Sequence, residues 1–252
     1  MSLQGRTIVI TGAGRGLGRA FAEACAAAKA ETIVVADVRM DWGEATVEAL
    51  RRSGAKAKFL PVDLGDAGSI EAFAAKVAGH YSHIDGLVNN GAIATGIGGK
   101  TFEEIDSETW DKVMAVNVRG TWLMTRAMAP LLRRSRLGGR IVNLASDTAL
   151  WGAPRLLHYV ASKGAVISMT RSLARELGPD NIAVNAIAPG LVLVEATEYV
   201  PVVRHQKYLE GRAIPREQQA VDVCGAVLFS LSGLSRFVTG QLLAVNGGFV
   251  MH

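Results

Sequence analysis

A tyrosine and a lysine four residues apart, in the stretch Tyr159-Val160-Ala161-Ser162-Lys163, carry the most pointed chemistry in this chain. On a helix that spacing puts both side chains on one face, about 6 Å apart. A free phenol has a pKa of about 10 and is a poor proton donor or acceptor at neutral pH. An adjacent ammonium favours the phenolate, and bringing the pKa to about 7 requires about 4 kcal/mol of differential stabilisation. Tyr159 would then be a usable general acid and base. Many helices bring Tyr and Lys together by chance, so the pair gains its meaning from the rest of the chain.

Upstream, the run Thr11-Gly12-Ala13-Gly14-Arg15-Gly16-Leu17-Gly18 separates a β-branched strand from an apolar helix. Strand, glycine-rich turn and helix in that order bring backbone N–H groups and a positive helix end to one point, which makes a pyrophosphate site. Gly12 permits the turn, Gly16 lets the backbone approach phosphate, and Gly18 allows helix to pack on strand. Asp37, at the end of the second strand, can accept both ribose hydroxyls of an adenosine and would repel a 2′-phosphate. Arg15 and Arg39 pull the other way, since either can neutralise such a phosphate. Asp37 occupies the sugar position while an arginine can swing into solvent, so NAD is the expected cofactor.

The elements that position these residues alternate throughout. Strands are expected at 7–10, 32–36, 56–62, 84–88, 140–144, 182–187 and 241–245, most of them apolar without alternation, as in a parallel sheet buried on both faces. Helices are expected at 17–29, 41–53, 67–80, 107–134, 156–177 and 218–231, the fifth bearing Tyr159 and Lys163. The third strand delivers Asp63 and Leu64, the fourth Asn89 and Asn90, and Ser146 lies just past the fifth. Asn117 falls in an apolar stretch of the long helix, where asparagine competes with the backbone for hydrogen bonds, so a functional or bracing part is expected of it. Residues 191–215 show no clean periodicity, and a loop that long in a compact domain suggests a lid. The whole, 1–252, reads as one α/β domain: a doubly wound, seven-stranded parallel Rossmann sheet with helices on both faces and ligands at the C-terminal strand ends.

Composition narrows the function classes. The 252 residues are 49% hydrophobic, and the net charge of +4 comes from scattered basic residues rather than a basic face, which argues against a nucleic-acid partner. No apolar run is long enough to cross a bilayer, so no membrane partner is expected. The two cysteines, Cys25 and Cys224, form neither a disulfide framework nor a metal spacing, which suits a reducing cytoplasm and no metal site.

In order and spacing these motifs resemble the short-chain dehydrogenase/reductase family over essentially the whole chain. The resemblance is carried by Thr11 with Gly12, Gly16 and Gly18, by Asp63, Asn89-Asn90, Asn117, Ser146, Tyr159-x-x-x-Lys163 and Pro189-Gly190, and by the closing Thr239-Gly240-Gln241 and Asn246-Gly247-Gly248. It implies an oxidoreductase moving a hydride between NAD(H) and a secondary alcohol or its ketone, cyclic, aromatic or aliphatic. Tyr159 would exchange the alcohol proton, Ser146 would hold the substrate oxygen, Lys163 would bind the nicotinamide ribose, and Asn117 would hold a water linking Lys163 to solvent. Asp63 would meet the adenine, Asn89 would serve the cofactor-side loop, and Arg15, Leu17, Leu64, Pro189, Gly190 and Val192 would complete the cofactor cleft. Substrate contacts are implied among Ile93, Ala94, Asp147, Leu150, Trp151, His158 and Leu191, and assembly as a homotetramer. Three departures stand out: Asn89-Asn90-Gly91-Ala92 reverses the usual last two residues, Val194 stands where a threonine commonly holds the carboxamide, with Thr197 as a substitute, and Arg216-Glu217-Gln218-Gln219 replaces a Gly/Pro turn. The rival readings are an NADP-dependent 3-oxoacyl-[acyl-carrier-protein] reductase and a non-catalytic, dinucleotide-sensing regulator.

Overall fold

The structure, a computed structural model, describes residues 1–251. The last residue of the expected C-terminal tail, His252, lies outside the described residues. The chain runs β1 (Thr7–Thr11), α1 (Gly16–Ala27), β2 (Thr32–Asp37), α2 (Met40–Arg52), β3 (Ala57–Pro61), α3 (Ala67–His80) and β4 (Gly86–Asn89). It continues through α4 (Ser107–Met114), α5 (Thr121–Leu132), β5 (Gly139–Leu144), α6 (Thr148–Trp151), α7 (Leu157–Leu177) and β6 (Ile182–Pro189). It closes with β7 (Val192–Leu193), α8 (Val202–Gly211), β8 (Gln218–Gln219), α9 (Ala220–Leu231) and β9 (Leu242–Val245).

Seven strands form one parallel sheet in the order β3-β2-β1-β4-β5-β6-β9, as the alternating elements predict. The strand order reverses at β1, which places a crevice between the loops after β1 and β4. The pleat explains the unbroken apolar strands. Ile8, Ile10, Ile33 and Val35 join the core beneath α1 and α9, while the intervening Val9 and Val34 join the core beneath α3, α5 and α7. Among the described residues no helix is long and apolar enough to cross a membrane.

Three expectations about elements need correction. The helix expected over 107–134 is α4 and α5 joined by a π-helical segment, Ala115–Gly120, with Asn117 inside it. Its cause is local: a Cβ on Gly120 would lie 2.5 Å from the Leu64 carbonyl oxygen, and the Asn117 side chain is drawn to another segment. The stretch over 191–215 holds β7, a 3₁₀ turn and α8, whose only buried residue is Tyr208, so it shows no apolar stripe. Gln218 and Gln219 belong to β8, which pairs with β7, and the last helix begins at Ala220.

Under the opposite, N-terminal edge of the sheet, the fully buried Asp85 accepts from the Thr7 backbone N–H at 2.8 Å and the Ser135 hydroxyl at 2.5 Å. Arg6, beside it, donates to the carbonyls of Leu137 and Gly138. Replacing Asp85 by Ala leaves these buried donors unpaired and is expected to cost roughly 2–4 kcal/mol in chemical denaturation. A loss below about 1 kcal/mol would show that the carboxylate does not hold this edge together.

Candidate active site

The loop after β1 is shaped by what it touches. Gly12 and Gly16 have φ of +61° and +55°, the left-handed region that suits glycine. A Cβ on Gly12 would stand 2.6 Å from the Cα of Gly91, and one on Gly18 would stand 2.1 Å from the Gly12 carbonyl oxygen. A Cβ on Gly16 would meet nothing nearer than 3.8 Å, and there it is the positive φ that calls for glycine. α1 begins there with no side-chain cap and no acidic residue in its first turn, leaving N–H groups free for an anion. The reversed Gly91-Ala92 belongs to the same contact, since a Cβ at Gly91 would run 2.7 Å into Leu64 Cδ1.

Along the floor of a cleft of about 620 Å³, Gly12, Arg15, Gly16, Leu17 and Gly18 are joined by Asp37, Asp63 and Leu64. Pro189, Gly190 and Val192 line its other side. Asp37 is held by backbone N–H groups, Gly14 on one carboxylate oxygen and Arg39 on the other, both at 2.9 Å. Arg39 is bound bidentately to Asp41, and the guanidinium groups of Arg39 and Arg15 lie 4.5 and 4.1 Å from the centre of the Trp42 ring. These glycines and this carboxylate fit a dinucleotide: a backbone cradle for the pyrophosphate, then an acceptor for a ribose. Asn90, not Asn89, enters the cleft. Asn89 is buried and donates to Thr125 and Asn143, because successive residues at a strand end face opposite ways.

Ser146, Tyr159 and Lys163 converge on the cleft from β5 and α7. The Ser146 hydroxyl accepts from Thr148, and the Lys163 ammonium donates to the Leu144 carbonyl at 2.7 Å. Burial drives the Tyr159 phenol up to about 12, with Ser146 acting in the opposite direction. The lowering by Lys163 anticipated from spacing is not what this arrangement gives. Its Nζ is 5.7 Å from the Tyr159 ring centre, and burial pushes Lys163 itself down to about 8. Asn117 stands outside the cleft as a brace: its Oδ1 accepts from the Ile93 N–H at 2.7 Å, and its Nδ2 donates to Ile93 O and Ser162 Oγ. It thereby ties the loop after β4 to α7.

At the substrate end, Ile93, Ala94, Asp147 and Leu191 line the cleft as implied, but Leu150, Trp151 and His158 do not. His158 is fully buried, and burial lowers its pKa. Trp151, on α6, faces an aromatic cluster: its Nε1 donates to the Tyr208 hydroxyl at 3.3 Å, its ring lies edge-on to Phe249, and Tyr208 stacks on Phe249 at 4.3 Å. The Tyr208 hydroxyl donates to Asp147 at 2.7 Å, and Arg212 donates to Leu191 O and Gln218. Burial raises the Asp147 carboxyl to about 6, against the bond from Tyr208 and the charge of Arg212. Tyr199 and Tyr208 were not singled out from sequence, although two aromatics in a charged, unpatterned stretch were the available signal. The Thr197 hydroxyl, offered as the carboxamide partner, folds back on its own turn, donating to Val192 O and accepting from Val194 N.

A family model described as enoyl-(acyl carrier protein) reductase matches residues 12–250. The chain is 32% identical over 255 residues to the 3-oxoacyl-[acyl-carrier-protein] reductase of Thermotoga maritima, covering 100% of both. It is 33% identical over 249 residues to the cyclopentanol dehydrogenase of Comamonas sp., covering 98% of both. Among solved structures, a putative NAD(P)-dependent gluconate 5-dehydrogenase from Beutenbergia cavernae, with NADP bound at low occupancy, matches with a TM-score of 0.91 and 32% identity over 98% of each chain.

Because the Tyr208 hydroxyl stabilises the charged form of Asp147, Tyr208→Phe is expected to raise the carboxyl titration above about 6 and to lower stability by about 1–3 kcal/mol. Infrared or NMR titration of the carboxyl, with thermal denaturation alongside, reads both. An unmoved titration would mean that the hydroxyl does not carry this interaction.

Proposed function

We propose, from the premise that this chain belongs to the short-chain dehydrogenase/reductase family, that it moves a hydride between NAD(H) and a secondary alcohol or its ketone. The observation that carries this reading is the convergence of Ser146, Tyr159 and Lys163 on the cleft that begins at the glycine-rich loop. The nicotinamide, when bound, supplies or accepts the hydride. In ketone reduction Tyr159, protonated at neutral pH, gives its phenolic proton to the carbonyl oxygen while the Ser146 hydroxyl hydrogen-bonds that oxygen. Lys163, anchored on Leu144 O, would bind the nicotinamide ribose and return a proton toward Tyr159. Asn117 ties the π segment to α7 at Ser162, next in sequence to Lys163, and would hold the relay water there.

NAD is favoured by Asp37, whose carboxylate the backbone fixes at the ribose position, and by the engagement of Arg15 and Arg39 with Trp42. The apolar lining from Ile93, Ala94 and Leu191, and the cyclopentanol dehydrogenase among its relatives, support a cyclic or aliphatic substrate. An NADP-dependent 3-oxoacyl-[acyl-carrier-protein] reductase is the second reading, favoured by Arg15 on the cleft wall and by the Thermotoga relative. Exposed Trp122 on α5, and Phe237 and Leu243 near the C-terminus, support self-association as a homotetramer. Cys25 and Cys224, both buried free thiols, suit a cytoplasmic location.

Tyr159→Phe should reduce turnover by about 10²-fold or more and leave NADH binding intact. Retained turnover would sink the mechanism. With Tyr159 near 12 and Lys163 near 8, ketone reduction should hold steady at neutral pH and fall above about 8, while alcohol oxidation, which needs the phenolate, rises with pH. Parallel profiles in the two directions would contradict this proton assignment. For the cofactor, NADH should bind about tenfold or more tightly than NADPH, with the preference collapsing in Asp37→Ala. Tighter NADPH binding would instead favour the reductase reading.

A further inference from the structure

The lid segment 191–215 mixes three acidic residues, Glu195, Glu198 and Glu210, with Arg204, Lys207 and Arg212. In three dimensions these charges are sorted. Lys207 lies 4.1 Å from the centre of the Trp151 ring, and Arg212 is committed to the carbonyls of Leu191 and Arg216 and to Gln218. Glu210 accepts from Gln206, and Glu195 leans toward Gly16 at the dinucleotide end. Of the lid's charged side chains only Arg204 lines the cleft.

Arg204 stands in the first turn of α8, electrostatically coupled to both Tyr199 and Tyr208. Its one side-chain hydrogen bond among the described residues runs from Nη2 to the Pro154 carbonyl at 3.0 Å. Among the described residues no carboxylate lies within ion-pair distance of it. The nearby cleft carboxylate, Asp147, accepts the Tyr208 hydroxyl on Oδ1 and is attracted by Arg212. Ile93, Leu156 and Val200 add apolar wall to the cleft, which Thr95, Lys112 and Tyr199 also line. A guanidinium has five N–H donors in a fork that matches a planar or tetrahedral oxyanion, and a partly buried one with a single carbonyl partner is left short of counter-charge.

We propose that the alcohol or ketone turned over here carries an anionic group, a carboxylate, sulfonate or phosphate, seated on Arg204 while the reacting carbon lies between Ser146 and Tyr159. The proposal rests on the CH–OH oxidoreductase reading above and adds the charge of the substrate to it. Arg204 selects the substrate, and the proton and hydride transfers are unchanged.

The test compares the purified enzyme on secondary hydroxyalkanoates over a range of chain lengths with their primary amides, and on matched phosphate- and sulfonate-terminated alcohols, with cyclopentanol as a neutral reference. At one chain length the anion should exceed its amide by about tenfold or more in kcat/KM, mainly through KM. That ratio should shrink as ionic strength rises, fall toward unity in Arg204→Gln, and fall only part of the way in Arg204→Lys, which keeps the charge and loses the fork. The phosphate and sulfonate arms identify which oxyanion the site takes. A ratio near one at every length and for every anion, or a ratio that survives Arg204→Gln, overturns the proposal. Should the variants fail to fold, the salt dependence of the wild-type ratio decides, because a salt-insensitive ratio is not set by this cation. Turnover of neutral alcohols without anion preference leaves the underlying reading standing and removes only this one. Failure of every alcohol and ketone with either dinucleotide removes both.

Discussion

Two residues at the ends of β1 and β4 hold the cleft open at its base. The Thr11 hydroxyl accepts the N–H groups of Asn90 and Gly91 at 3.0 and 2.9 Å and donates to Val88 O, while the Asn90 amide donates to the carbonyls of Thr11 and Gly12, both at 3.0 Å. Five hydrogen bonds thus carry the joining of β1 and β4 past the end of their ladder and into the loops beyond. With the loops locked this close there is no volume for a Cβ at Gly12 or Gly18, and α1 must start with its N-terminus at the crevice. The glycine spacing is therefore a consequence of the clamp as much as of the ligand it would cradle.

A second set of buried amides performs the same task on the side of the cleft that holds Ser146, Tyr159 and Lys163. Asn117 joins the loop at Ile93 to α7 at Ser162, and Asn89, Asn143 and Thr170 form a chain of hydrogen bonds across β4, β5 and α7. Polar networks in a low-dielectric interior rigidify when their members are paired, and these fix the helix that carries Tyr159 and Lys163 against the strand that carries Ser146. The π segment at Asn117 is where the helical ladder yields to that bracing.

The sheet and the dinucleotide floor were legible in the sequence because their physics is local: β-branched runs buried on both faces, and glycines required by positive φ or close approach. What stayed hidden depended on direction and burial. At the end of β4 two asparagines are adjacent, and only the phase of the pleat decides that Asn90 faces the cleft and Asn89 the interior. α8 escapes periodicity because it rests on one buried side chain, Tyr208. For Tyr159 the spacing displays a neighbouring cation but not the desolvation that outweighs it. Trp151 and His158 sit close to Ser146 and Tyr159 in sequence, yet α6 aims one at α8 and the other is buried away from the cleft.

The aromatic cluster behind α8 has an optical consequence. Trp151 is wedged between elements that must shift relative to one another when α8 moves: Lys207 over its ring at 4.1 Å, Tyr208 edge-on at 6.3 Å, and Phe249 of the C-terminal segment at 5.6 Å. An indole's emission responds to a nearby ammonium and to loss of its N–H partner, and here both come from one helix. The protein thus contains a native fluorophore held by two side chains of α8, so its emission would respond to a displacement of that helix.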